Sequence, residues 1–194
     1  MTMKRTIFAA VLLLYLAPLL ADAQQAGEQL MIIKPIGWEQ VFHDSKGIID
    51  ITSLAPAGQT AKNWTDLLTV EMITGQPTMD VQTVLAKRLD AIHQGCDDVG
   101  AGPTQLSTEN GYDAGIRAFA CPKTKQDGRG EVSLYKVFIG QSRIYVISRA
   151  WSGKPFEKNK VPLPASTTED WLSFMGKVVL CDPQANNHPC PASK

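Results

Sequence analysis

The chain has 194 residues, with 19 lysines and arginines against 19 aspartates and glutamates, a formal charge of zero. Nucleic acid and anionic lipid, as main partners, call for a concentrated basic surface that this balance does not supply, although a local patch is still open. The length suits one domain with a sizeable core.

Lys4 and Arg5 precede an apolar run from Ile7 to Leu20, and Ala21 and Ala23 then supply small residues before Gln24. That order reads as a secretory signal over residues 1–23. The run is shorter than the ~20 residues a spanning helix needs, and no cysteine stands at the cleavage point for lipid attachment. Cleavage would remove two bases and one acid, leaving 19 − 2 = 17 basic and 19 − 1 = 18 acidic residues. Residues 24–194 are therefore expected as a single periplasmic or secreted domain, with no integral membrane segment and no nucleic-acid partner.

In chain order, residues 37–44 and 47–56 read as two strands meeting near Lys46 and Gly47, with Ile49 and Ile51 alternating against Asp50 and Thr52. Asn63-Trp64-Thr65 has the form of a glycosylation sequon. It reads better as the end of a turn, with Trp64 over a sheet edge and Thr65 opening a strand. In that strand Leu68, Val70 and Met72 take one face, and Thr69 and Glu71 the other. Thr78 is the expected cap of a helix ending before Gly95, on which Val81, Val84, Leu85, Leu89 and Ile92 share one arc. Arg88 falls inside that arc, so it must snorkel outward or pair with Asp50 or Glu71.

Asn110-Gly111 marks a tight hairpin turn, and the strands over residues 131–140 and 143–151 join through Gln141 and Ser142. A last helix is expected from a capping box, Ser166 to Glu169, with Trp171, Leu172, Met175, Val178 and Val179 buried and Asp182-Pro183 ending it. About three strands, a helix, about four strands and a helix make an α+β fold: a mostly antiparallel sheet of six to seven strands packed with two amphipathic helices.

Four cysteines remain after residue 23. Cys96 and Cys121 close neighbouring elements, and Cys181 and Cys190 bracket a short loop, which favours bridges 96–121 and 181–190. A rival reading makes Cys181, His188 and Cys190, with Asp182, zinc ligands; the lack of a paired C-x-x-C knuckle weighs against it. Catalytic signatures are absent from the sequence: no G-x-S-x-G elbow, H-E-x-x-H pair or P-loop accompanies His43, His93 and His188. No cofactor is expected. Period two places Arg143, Tyr145, Ile147, Arg149 and Trp151 on one face, with Arg117 and Tyr135 offered by neighbouring strands. Arginine, tyrosine and tryptophan are the types most enriched at binding hot spots. The competing reading has the second helix covering that face.

The leader, the Trp38 strand, "NWTDLLTV", the helix ending near "GC", "ENGY" before "AC", and the terminal "CD" and "CP" together resemble a group of uncharacterised secreted proteins of Gram-negative bacteria. The element order is similar to small domains of the Mog1/PsbP type, a resemblance that implies an accessory or assembly role. The expected function is a non-catalytic binding protein whose partner is a protein or another cell-envelope component. The alternative is a small periplasmic, hydrolase-like enzyme with a site assembled from scattered residues.

Overall fold

A computed structural model describes residues 27–75 and 77–192. The signal-sequence reading of residues 1–23 lies outside the described residues. Among the described residues there are ten strands and two helices: β1 (Gln29–Met31), β2 (Trp38–Lys46), β3 (Ile49–Pro56), β4 (Asp66–Thr74), α1 (Val81–Gly95), β5 (Gly100–Ala101), β6 (Gln105–Glu109), β7 (Tyr112–Cys121), β8 (Gly130–Ile139), β9 (Arg143–Gly153), α2 (Ala165–Gly176) and β10 (Val179–Cys181). The fold is α+β, as expected, but the strand count exceeds six to seven. The additional strands are β1, β5 and β10, of 3, 2 and 3 residues, too short for alternation to mark them.

The main sheet is antiparallel, in the order β2-β3-β4-β9-β8-β7-β5, with β6 also paired to β7. Two meanders are joined by the β4–β9 pairing, which runs from Asp66 opposite Trp151 to Thr74 opposite Arg143. β1 and β10 form a separate two-stranded ribbon. At the β2 edge a bulge between Gln40 and Phe42 and the charges of Glu39, Asp44 and Lys46 interrupt what would otherwise be a flat pairing template.

Each helix covers one face. α1 buries Val81, Val84 and Leu85 against Val137, Ile144 and Val146. α2 buries Trp171 and Met175 against Leu134, Phe138, Tyr145 and Ile147. The alternating residues of β8 and β9 therefore feed two cores on opposite sides, which is why both strands are apolar nearly throughout. Among the described residues, no helix is long and apolar enough to cross a membrane.

The helix termini differ from expectation. Asp80, not Thr78, caps α1 by accepting from Thr83 N at 2.7 Å, because the chain turns helical only at Val81. α2 begins at Ala165, with the Thr167 and Thr168 N–H groups donating to Pro164 O at 3.1 and 3.3 Å. Ser166 and Glu169 thus lie inside the helix and form no capping box. α2 also ends at Gly176; Leu172 is exposed, and Val179 belongs to β10.

Both bridges form as expected, Cys96 to Cys121 and Cys181 to Cys190. The second removes the thiolates a zinc site would use. His188 is instead structural: it stacks on Tyr112 at 4.0 Å, and its Nδ1 lies 2.8 Å from Asn110 O. A carbonyl only accepts, so the proton sits on Nδ1 and Nε2 accepts from Asn187 at 2.8 Å. Asn110 and Gly111 take positive φ, 49° and 81°, as a two-residue hairpin turn requires. A Cβ on Gly111 would stand 2.7 Å from the His188 ring, so this turn is also the seat of the C-terminal loop. The Asn63 stretch folds as the expected turn, Thr60 and Asn63 exchanging backbone bonds at 3.1 Å.

Candidate functional site

Strand register divides the expected Arg, Tyr and Trp face. Tyr135 stands opposite Ser148, not Arg149, and Arg117 stands opposite Tyr135. Cross-strand partners share a face, so Arg117 and Tyr135 lie on the α1 side, while Arg143, Tyr145, Arg149 and Trp151 lie on the α2 side. Even these four are not one patch. Arg143 and Trp151 are eight residues apart, roughly 26 Å along an extended strand. Tyr145 is buried beneath α2, and Trp151 packs on Phe156 at 6.4 Å.

Arg149 sits in a cage of rings. Its guanidinium carbon lies 4.7 Å from the Trp38 centroid, 5.2 Å from Phe174 and 5.8 Å from Trp171. The side chain is 13 % exposed, and the nearest carboxylate, Asp66, stands 3.9 Å away. That gap is an ion pair without a hydrogen bond. Burial raises the Asp66 carboxyl, with Arg149 pulling the other way, and burial lowers the Arg149 guanidinium, opposed by Asp66 and Asp170. Desolvation leads on both partners, as a weak pairing implies.

On the α1 side the sheet extends beyond the helix and leaves a cleft of about 220 Å³. Trp64 comes from the turn before β4, Phe119 from β7 and Tyr135 from β8, and these rings form its walls. Phe119 and Tyr135 meet edge to face at 5.5 Å. Arg117 crosses over Phe119 at 5.4 Å and donates Nε to Gly102 O at 2.9 Å, so it braces the wall from behind.

Arg88 and Glu71 meet in this cleft at 2.6 Å. The helical arc thus resolves by pairing with Glu71, and the snorkelling alternative and Asp50 are set aside. Thr69, Ser133 and Ser148 add hydroxyls, and Glu131 a second carboxylate. Burial raises the Glu131 carboxyl, helped by Asp127 and opposed by Arg129. Burial also pushes the Tyr135 phenol up, against the pull of Arg88. Past Trp64 and Glu131 the cleft adjoins a depression of about 560 Å³ that takes in Lys62, Asp127 and Arg129. Arg129 holds that rim by donating to Trp64 O at 2.6 Å and Ser152 O at 2.9 Å.

Of the expected residues, then, the structure brings Tyr135 and Arg88 together and places Arg117 behind them. Trp64, Phe119 and Glu131 complete the cleft and were not among the expected binding residues. Neither histidine nor free cysteine lines it. No family model matches the chain, and no curated protein matches it.

Proposed function

We propose that the protein is a secreted or periplasmic accessory protein of the cell envelope that takes a polar group of its partner into the α1-side cleft. One observation carries this reading: three aromatic rings enclose an ion pair already satisfied at 2.6 Å. Rings supply contact area and hydroxyls supply direction, a composition suited to recognition. Glu71 accepts from Arg88 through Oε1, which ties one of its two carboxylate oxygens into a pair within the fold. Two disulfides support a compartment outside the reducing cytosol.

The enzymatic alternative is favoured by Glu131, whose raised carboxyl shares the cleft with Ser133. Affinity capture from periplasmic extract with wild type, Trp64→Ala and Glu131→Gln separates the two. On the binding reading Trp64→Ala weakens capture of the same partner by about 2 kcal/mol, and Glu131→Gln leaves it nearly intact. Unchanged capture by Trp64→Ala would remove the cleft as the recognition site. Ester or glycoside hydrolysis by wild type, lost in Glu131→Gln, would establish the enzyme instead.

A further inference from the structure

Between β1 and β2 the chain carries Ile33, Lys34, Pro35 and Ile36 on a short loop. Ile33 is 70 % exposed and Ile36 102 %, so both side chains project to solvent at the rim of the cavity they border. Single exposed apolar residues are ordinary; two on one short loop, both flanking a lysine, are a pattern. Across from them Lys177 stands at the C-cap of α2. The loop and the helix enclose a cavity of about 360 Å³ whose charged lining is Lys34, Arg149, Lys177 and Asp170. Three cations against one carboxylate make this a local basic patch on a chain of zero formal charge. Arg149 strengthens the case, because its Nε is buried with no hydrogen-bond partner and Asp66 stays at 3.9 Å. A guanidinium desolvated by rings and left without a bonded anion is a receptor for one.

We propose that this face docks on an anionic phospholipid surface, with Ile33 and Ile36 entering the headgroup–acyl boundary and Lys34, Lys177 and Arg149 taking lipid phosphate. Projecting apolar tips flanked by cations suit a soft, deformable surface whose apolar layer lies just beneath its charge. A folded protein partner would have to supply a pocket for each isoleucine. The site lies on the α2 side of the sheet and the cleft on the α1 side, so both can be occupied at once.

The test is sedimentation of the exported protein with vesicles of phosphatidylglycerol in phosphatidylcholine, and of phosphatidylcholine alone. The expected result is salt-sensitive binding to the anionic vesicles only. The pair Ile33→Ser with Ile36→Ser, and separately the pair Lys34→Gln with Lys177→Gln, should each weaken it about tenfold or more, a lysine near such a surface being worth about fivefold. All four side chains are exposed, so melting should not move. Inorganic phosphate at the same phosphate concentration should leave the vesicle-bound fraction in place. Absence of vesicle binding, equal binding to phosphatidylcholine, insensitivity to both variant pairs, or full displacement by free phosphate would each overturn the proposal.

Discussion

Replacing Lys136 with methionine is the sharpest test of how α2 is fixed to the sheet. Lys136 is 3 % exposed, yet all three of its ammonium protons have acceptors. Nζ lies 2.6 Å from Glu109 Oε2, 2.8 Å from Met175 O and 3.5 Å from Val178 O, and 4.7 Å from the Phe138 centroid. Met175 O belongs to the last turn of α2, where carbonyls lack the regular i+4 donor and the dipole favours a cation. Methionine keeps the volume and removes the donors. Glu109 is 37 % exposed at its side chain and can rehydrate, so the loss falls short of the ~3–5 kcal/mol for breaking a fully buried pair. Met175 O keeps the Val178 N–H at 3.3 Å, but it and Val178 O lose a charged donor, a hydrogen bond worth about 1.5–3 kcal/mol. We expect a loss of about 3 kcal/mol, or a Tm lower by roughly 6–12 °C for a domain of this size. Glu109→Gln should cost only about 1 kcal/mol, since an amide oxygen still accepts. In a double-mutant cycle Glu109→Gln should cost less on the Lys136→Met background than on wild type. Chemical denaturation of the four proteins measures both terms. A Lys136→Met loss below about 1 kcal/mol, or strict additivity, would refute the capping argument.

Two further outcomes are expected. Glu131 has its folded carboxyl raised above 4.5 by burial, so the folded state binds the proton more tightly than the unfolded one. Stability is then unpenalised below the ordinary carboxylate range and falls as pH rises through the raised value. Glu131→Gln should therefore stabilise the protein near neutral pH, with the gain vanishing at about pH 4; urea midpoints at the two pH values check it. For the bridges, sequence separations of 25 and 9 give about 3.5 and about 2.5 kcal/mol of loop-closure stabilisation. Paired Cys→Ser replacement should thus lower stability more at 96–121 than at 181–190, and the reverse order in calorimetry would contradict the entropic account.

Hairpins, the first helix and both bridges were legible in the sequence because each is a local device: alternation, a two-residue turn, an apolar arc, cysteines at element ends. Strand faces were also encoded, through turn length. With Gln141 and Ser142 alone in the turn, Gly140 donates to Arg143 O and Ile139 falls opposite Ile144. Counting outward from that pair sets Tyr135 opposite Ser148, on the other face from Arg149. Other features were beyond reach. β1, β5 and β10 are defined by their partners alone, and nothing local announces that Asn110 Nδ2 will reach Leu180 O at 2.9 Å. Trp64 and Glu131 lie 67 residues apart in sequence, so their meeting at the cleft depends on β4 pairing with β9 across the two meanders.

That pairing also explains where polar residues stand out. A sheet covered on both faces leaves few polar side chains inside, and each must find a partner or remain under tension with its surroundings. Lys136 and Arg149 make the comparison direct. Lys136 lies opposite Ile147, so both basic residues occupy the α2 side, and both touch α2 itself. Lys136 has three acceptors and closes a helix end; its role is complete within the fold. Arg149 has three rings, a carboxylate at 3.9 Å and a buried Nε without a partner. Stability alone would favour an apolar residue in that cage, since replacing a poorly paired buried charge by a well-packed side chain is commonly neutral or stabilising. The guanidinium there, at the edge of a cavity lined by Lys34 and Lys177, holds no bonded anion, and the proposed lipid phosphate would supply one.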